Sequence, residues 1–313
     1  MKYAFLFSGQ GAQYPGMGQE LYASKPLYRA TVDEASNILG YDMSEIMFSD
    51  DGRLNQTAYT QPAMLTMSWG LTRLMQEEGF NNPAAVAGLS LGEYTALLAS
   101  ETLSFSEVLP LIEKRGQFMS EAVPDGKGAM AAVMNIAVSK VEEVCQHLQK
   151  DKQEVFIANY NMPLQTVITG EYHAVVKAKE LLEKEPRSKV VMLNVSGPFH
   201  SPFMQPAAQK LERTLATLVF APMTCPIYSN VTGRPMTESE LKALLVKQVM
   251  SPVHWQQTIE NMIADDINVF IELGPGKTLT RFVKKINRHV QVMHVEDEQT
   301  LEETCLKLRD LGG

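Results

Sequence analysis

The chain has 313 residues, 45% of them hydrophobic and 20% charged, with a formal net charge of −8 and a pI of about 5.4. That length suits one large domain, or one carrying a smaller insert, and the acidic balance leaves no global positive field for nucleic acid or an anionic membrane. Cys145, Cys225 and Cys305 are widely spaced with no CxxC pair, which argues against a disulfide framework or a metal site and for a reducing compartment; no stretch approaches the roughly 20 apolar residues of a spanning helix.

Short β-type runs alternate with helical patterns, the mark of α/β architecture with a mostly parallel sheet. Tyr3–Phe7 reads as a buried first strand that leads straight into a glycine turn, too short for the apolar core of a signal peptide. Cytoplasmic location is therefore expected. Residues 61–78 read as a helix started by Pro62 and stopped at Gly79. Residues 84–88 are an apolar run, followed by Ser90-Leu91-Gly92 and an apolar helix over 93–100: strand, tight turn, helix. Residues 105–122 form a second helix that carries Arg115.

The segment from Gly126 to about Ser196 has a pattern of its own. Residues 129–135 look like a strand and 139–150 like a helix capped by Ser139. Two strands, 155–159 and 165–169, flank Asn161-Met162-Pro163. A helix over 171–185 and a strand over 189–195 complete the order βαββαβ, the ferredoxin-like signature. Pro124-Asp125-Gly126 and Gly197-Pro198 punctuate its ends. The expected organisation is a parallel-sheet α/β domain over 1–125 and 198–313, with a ferredoxin-like insert over 126–197. In the resumed domain, 206–218 reads as a helix with proline in its first turn. Residues 225–230 and 269–273 are strand candidates, and Gly274-Pro275-Gly276 opens a closing helix.

Gly88-Leu89-Ser90-Leu91-Gly92 matches the nucleophile elbow, G-x-S-x-G. A sharp strand-to-helix turn lifts the serine hydroxyl above the sheet, and the helix N-terminus behind it suits an oxyanion. A serine needs a base, and six histidines are available. His147 and His173 lie on polar stretches of the insert. His254 sits between Val253 and Trp255, where packing is its natural role. His289 follows a basic helix, and His294 stands in a short apolar run. His200 stands in Gly197-Pro198-Phe199-His200-Ser201-Pro202, a constrained loop of the kind that carries binding and catalytic groups. Loop context alone makes it a candidate, not an assignment. No acidic residue between Ser90 and His200 has a comparable setting, so a backbone carbonyl is an alternative orienting group for the imidazole.

Eight segments in one order now resemble the malonyl-CoA:acyl-carrier-protein transacylases of fatty-acid synthesis. They are Gly9-Gln10-Gly11-Ala12-Gln13, Thr60-Gln61-Pro62-Ala63, the elbow through Glu93, Lys114-Arg115-Gly116, and Ala158-Asn159-Tyr160-Asn161. Gly197-Pro198-Phe199-His200-Ser201 follows, then Gln248 with Pro252-Val253 and Trp255, then Gly274-Pro275-Gly276-Lys277. The resemblance runs over nearly the whole chain and implies an α/β-hydrolase-like core with a ferredoxin-like insert. It implies Ser90 as nucleophile, His200 as general base, and Gln248 orienting His200 through its backbone carbonyl. It also implies an oxyanion hole from the backbone N–H groups of Gln10 and Leu91, and Arg115 gripping the malonyl carboxylate. Asn161 is carried over as a substrate contact. Malonyl-CoA is the implied donor and acyl carrier protein the partner, with no bound cofactor.

Taken alone, Arg115 reads as a surface helix arginine and Gln10 as a turn residue between glycines. Phe199 is expected to crowd a branch at the malonyl C2, or else only to pack its loop. Lys277, Arg281, Lys284, Lys285 and Arg288 fall at intervals of three and four on one expected helix. They form a carrier-docking stripe, or an ordinary solvated face. Two departures from the family pattern stand out: Leu89 where the elbow usually has histidine, and Ser8 where the N-terminal turn often has proline. A polyketide-pathway acyltransferase, a serine esterase and a non-catalytic scaffold are the competing readings.

Overall fold

The computed structural model describes residues 1–124, 126–195 and 197–312. Asp125 and Ser196, beside the expected ends of the insert, lie outside the described residues, as does Gly313. The chain opens with β1 (Tyr3–Phe7), all five residues buried. Three helices follow, α1 (Gln19–Ser24), α2 (Pro26–Leu39) and α3 (Met43–Phe48). The long α4 (Thr57–Glu77) starts a turn earlier than expected, so Pro62 lies inside the helix and not at its start. Next come β2 (Ala85–Gly88), α5 (Gly92–Ala99) and α6 (Phe105–Glu121). Ser104 and Glu107 form a capping box that starts α6.

A second unit follows: β3 (Gly128–Met134), α7 (Val138–Lys150), β4 (Val155–Met162), β5 (Gln165–Glu171), α8 (Tyr172–Leu182) and β6 (Lys189–Met192). Ser139 does not cap α7; Ala137 takes the cap position and Ser139 falls in the first turn. The chain then returns through α9 (Gln205–Ala216), a two-residue β7 (Ile227–Tyr228), α10 (Leu241–Gln248), α11 (Trp255–Ala264) and β8 (Val269–Leu273). Gly274-Pro275-Gly276 does precede a helix, α12 (Thr278–Ile286), but that helix is not the last element. The parallel strand β9 (Gln291–Val295) and α13 (Glu298–Gly312) follow it.

The fold is mixed α/β with two sheets. The first is parallel throughout, in the order β7-β2-β1-β8-β9. Both faces are covered, as a parallel sheet requires. Phe5, Phe7, Val86 and Ile271 pack into one core, while Leu6, Ala87 and Phe270 pack with Trp255, Ile259 and Phe282 into another. The second sheet is antiparallel, in the order β4-β5-β3-β6. It has its own core, with Val133, Val141, Leu148, Ile168 and Leu182 under α7 and α8.

Register decides where chemistry can occur. Phe7 pairs opposite both Gly88 and Leu273, and Ala87 opposite Tyr228. The C-terminal ends of β1, β2, β7 and β8 therefore finish together, and their loops crowd one end of the sheet. In parallel α/β sheets that end is where ligands bind. Val253 sutures the two units: its N–H donates to Ala158 O at 2.8 Å, and its carbonyl accepts from Tyr160 N at 2.9 Å.

Candidate active site

Ser90 follows β2 with φ of 55°, a left-handed conformation rare for a residue with a side chain. Such a backbone costs on the order of 1–3 kcal/mol and persists only where the surroundings impose it. Two glycines make the turn possible. A Cβ on Gly88 would lie 1.9 Å from Gly92 C, and one on Gly92 would lie 2.3 Å from Phe7 O. The elbow is thus pressed against both its own helix and the neighbouring strand.

His200, also at positive φ (59°), is buried. Its Nδ1 lies 2.9 Å from Gln248 O and 3.2 Å from Ser251 O. Carbonyls only accept, so Nδ1 carries the proton and Nε2 presents a lone pair. Nε2 stands 2.8 Å from Ser90 Oγ, which donates its proton there. Serine, imidazole and backbone carbonyl form a chain, and no carboxylate among the described residues bonds the imidazole. Burial pushes the His200 pKa down to about 4, helped by the nearby Arg115 cation and opposed by the two carbonyls. The imidazole is neutral at ordinary pH.

Arg115, on α6, is 0% exposed. Nη1 donates to Gln61 Oε1 at 2.7 Å; Nη2 donates to Gln248 Oε1 at 2.9 Å and to Ser90 Oγ at 3.0 Å. Its guanidinium carbon lies 5.3 Å from the Tyr94 ring centroid. Nε has no acceptor. No carboxylate among the described residues comes within ion-pair distance of it. A buried cation with no carboxylate in contact is costly, and burial lowers its pKa, opposed by nearby Tyr94 and Glu93. The surface-arginine reading fails.

Two buried residues that the residue-by-residue reading passed over complete the network. Glu93 accepts from Asn230 N at 2.8 Å and from Gln248 Nε2, which also donates to Ser90 O at 2.8 Å. Burial raises the Glu93 pKa to about 8 against these donors. The signal was available: Glu93 is the only charge in the otherwise apolar helix Gly92-Glu-Tyr-Thr-Ala-Leu-Leu-Ala, where a charge must be paired or hydrogen-bonded. Asn230 accepts from Ser90 N at 2.7 Å, which leaves that N–H unavailable to a substrate.

A cavity of about 470 Å³ opens between the end of the parallel sheet and the face of the antiparallel one. Ser90, His200, Gln10, Leu91, Phe199 and Asn161 all line it. The backbone N–H groups of Gln10 and Leu91 have no acceptor among the described residues. Asn161 is 6% exposed and its Oδ1 is unpartnered. The structure thus brings together Ser90, His200, Gln248, Arg115, Gln10, Leu91, Phe199 and Asn161. It does not put the basic stripe on one helix. Lys277 caps α12 from outside, and the helix ends at Ile286 because Asn287 turns extended, so Arg288 lies beyond it. Only Arg281, Lys284 and Lys285 share α12, all exposed, on the helix whose Thr278, Leu279 and Phe282 line the cavity.

A hydroxyl aimed at a neutral imidazole, beside free backbone donors and a buried cation, is an arrangement able to carry acyl transfer. Comparison with known proteins agrees. The family model for the acyl transferase domain matches residues 4–301. The malonyl CoA-acyl carrier protein transacylase of Bacillus subtilis (strain 168) is 40% identical over 311 residues, 99% of this chain and 98% of that one. The crystal structure of the Streptococcus pneumoniae enzyme MCAT superposes with a TM-score of 0.92 at 46% identity, covering 98% of this chain and all of that one. A malonyl-transacylase solved with its type II polyketide acyl-carrier protein gives a TM-score of 0.94 at 34% identity, covering 98% and 100%. The chain belongs to the acyl transferase family.

Proposed function

We propose that the protein moves malonyl from malonyl-CoA to the phosphopantetheine thiol of an acyl carrier protein, in fatty-acid biosynthesis, through a malonyl ester on Ser90. The observation that carries this reading is the fully buried Arg115 guanidinium, without a carboxylate partner, 3.0 Å from the Ser90 hydroxyl. A planar fork with two parallel donors matches a carboxylate, and a malonyl group is an acyl chain that ends in one. The named transacylase relatives support the donor and the carrier.

In the first half-reaction Ser90 Oγ attacks the thioester carbonyl carbon and its proton passes to His200 Nε2. The backbone N–H groups of Gln10 and Leu91 stabilise the tetrahedral oxyanion. Collapse breaks the C–S bond, and coenzyme A leaves with the proton from His200. In the second, the carrier thiol gives its proton to His200 and attacks the Ser90 ester, and Ser90 leaves with the proton restored. Gln248 O keeps the imidazole in the right tautomer throughout. Asn161 contacts the substrate arm from the cavity wall, and Phe199 crowds the malonyl C2. Arg281, Lys284 and Lys285, with Lys277 and Arg288 beyond the helix ends, form a basic patch for an acidic carrier.

The proposal extends to architecture and location. The strand order β4-β5-β3-β6 and a separate core support a ferredoxin-like insert over 126–197 in an α/β-hydrolase-like domain over 1–125 and 198–313. No helix among the described residues is long and apolar enough to cross a membrane, and the reading is of a cytoplasmic enzyme. Intact-mass measurement after mixing with malonyl-CoA tests the function. Wild type should gain one malonyl group and Ser90→Ala none; an unlabelled wild type removes the covalent route.

A further inference from the structure

Nothing in the reaction scheme uses Asn230, yet it is 0% exposed and every polar group it has is hydrogen-bonded. It stands just past the end of β7, the strand next to β2. Its Oδ1 accepts from Ser90 N at 2.7 Å, and its Nδ2 donates to Gly88 O at 2.7 Å. The amide therefore spans Leu89 and ties both sides of the left-handed turn. Its backbone N–H donates to Glu93 Oε1 at 2.8 Å, and its carbonyl accepts from His254 N at 2.8 Å. His254 stacks on Tyr160 of β4, with ring centroids 5.1 Å apart. Asn230 thus joins the nucleophile's backbone to the strand that carries Asn161.

We infer that Asn230 is a positioning residue for the nucleophile: its amide fixes the elbow backbone so that Ser90 Oγ meets His200 Nε2, and it takes up the Ser90 N–H so that only the neighbouring N–H groups receive the oxyanion. The chemistry of the amide explains why the residue is asparagine. The span needs one acceptor and one donor on a short planar group, and no other side chain of that length offers both without first taking up a proton. The inference rests on Ser90 being the nucleophile. Small displacements of a reacting group are expensive in rate, on the order of a hundredfold for a shift near 1 Å.

The test uses Asn230→Ala and Asn230→Asp, with rates per folded molecule and folding followed by thermal melts. The Asn230→Ala enzyme should lose roughly a hundredfold in kcat with KM for malonyl-CoA within about twofold. A fluorophosphonate reagent, which needs no malonyl recognition, should label its Ser90 more slowly in the same proportion. In Asn230→Asp a protonated carboxyl restores one donor and one acceptor, whereas the carboxylate faces Gly88 O with repulsion. Its kcat and labelling rate should therefore recover at least tenfold, relative to wild type, as pH falls from 8 to 6. Wild-type kcat in Asn230→Ala overturns the assignment. So does an Asn230→Asp enzyme whose relative activity is independent of pH, and that variant decides the matter alone if Asn230→Ala does not fold. Should the reagent label wild-type Ser90 while malonyl-CoA leaves it bare, the malonyl reading falls and the role of Asn230 is still measured.

Discussion

Replacing Arg115 with alanine removes a cation that holds three partners at once: Gln61 Oε1, Gln248 Oε1 and Ser90 Oγ. Its consequence for a malonyl donor is the loss of a charge-assisted pair, about 1.5–3 kcal/mol for each such hydrogen bond. At about 1.4 kcal/mol per factor of ten, that is roughly tenfold to over a hundredfold in kcat/KM. Acetyl-CoA has no carboxylate to lose, and in the wild type it leaves the guanidinium buried with no carboxylate in contact. Acetyl transfer should therefore rise relative to malonyl transfer in Arg115→Ala. A second effect comes from the same cation, which helps to hold His200 far below its ordinary pKa. Without it, the acid limb of the pH–rate profile should move up toward the ordinary histidine range. The assay is kcat/KM for both donors with one carrier, from pH 4 to 8. A malonyl-to-acetyl ratio equal to that of wild type refutes the carboxylate clamp, whatever the stability of the variant.

Four further outcomes follow from the geometry. In the wild type, protonation of His200 removes the base. With its pKa near 4, kcat/KM should stay flat from pH 7 down to about 5 and fall only below it; a midpoint near 6.5 in stopped-flow acylation contradicts the buried, neutral imidazole. The same shift makes stability rise with pH between about 4 and 6.5, where the unfolded chain binds a proton that folded His200 does not, and that increment is lost as pH falls through the window. Phe199→Ser should raise methylmalonyl turnover relative to malonyl turnover, and an unchanged ratio leaves Phe199 a packing residue. Charge reversal at Lys284 and Lys285 should raise KM for the carrier severalfold without changing KM for malonyl-CoA, and equal effects on both substrates dismiss the basic patch.

The elbow was legible because its constraint is local. Gly88 and Gly92 are needed by a turn that five consecutive residues describe, and β2 and α5 lie immediately beside it. His200 was legible only as a candidate, in a loop bracketed by glycine and proline, until the resemblance singled it out. Boundaries slipped where the deciding contact lies elsewhere. Pro62 looked like a helix start, but α4 has a full turn before it, begun at Thr57. The basic run from Lys277 to Arg288 looked like one helix, but α12 ends early to let β9 join the sheet beside β8. That strand was hidden because Gln291-Val-Met-His-Val mixes exposed, half-buried and buried positions at a sheet edge.

Arg115 shows the deeper limit. Val108, Leu111, Ile112 and Met119 put position 115 on the apolar face of its own helix, but what the cation meets there depends on Gln61, Ser90 and Gln248, which stand 54, 25 and 133 residues away. Glu93 and Asn230 are more remote still from what they hold, 137 residues from each other, with Asn230 140 residues from Ser90. Parallel sheets produce this situation generally, because strands that end together in space are separated in sequence by whole crossover connections. A nucleophile can therefore be recognised from its own turn. The groups around it arrive from distant parts of the chain: Gln10 and Asn230 from beyond the ends of β1 and β7, Arg115 and Gln248 from α6 and α10, and His200 from the loop before α9.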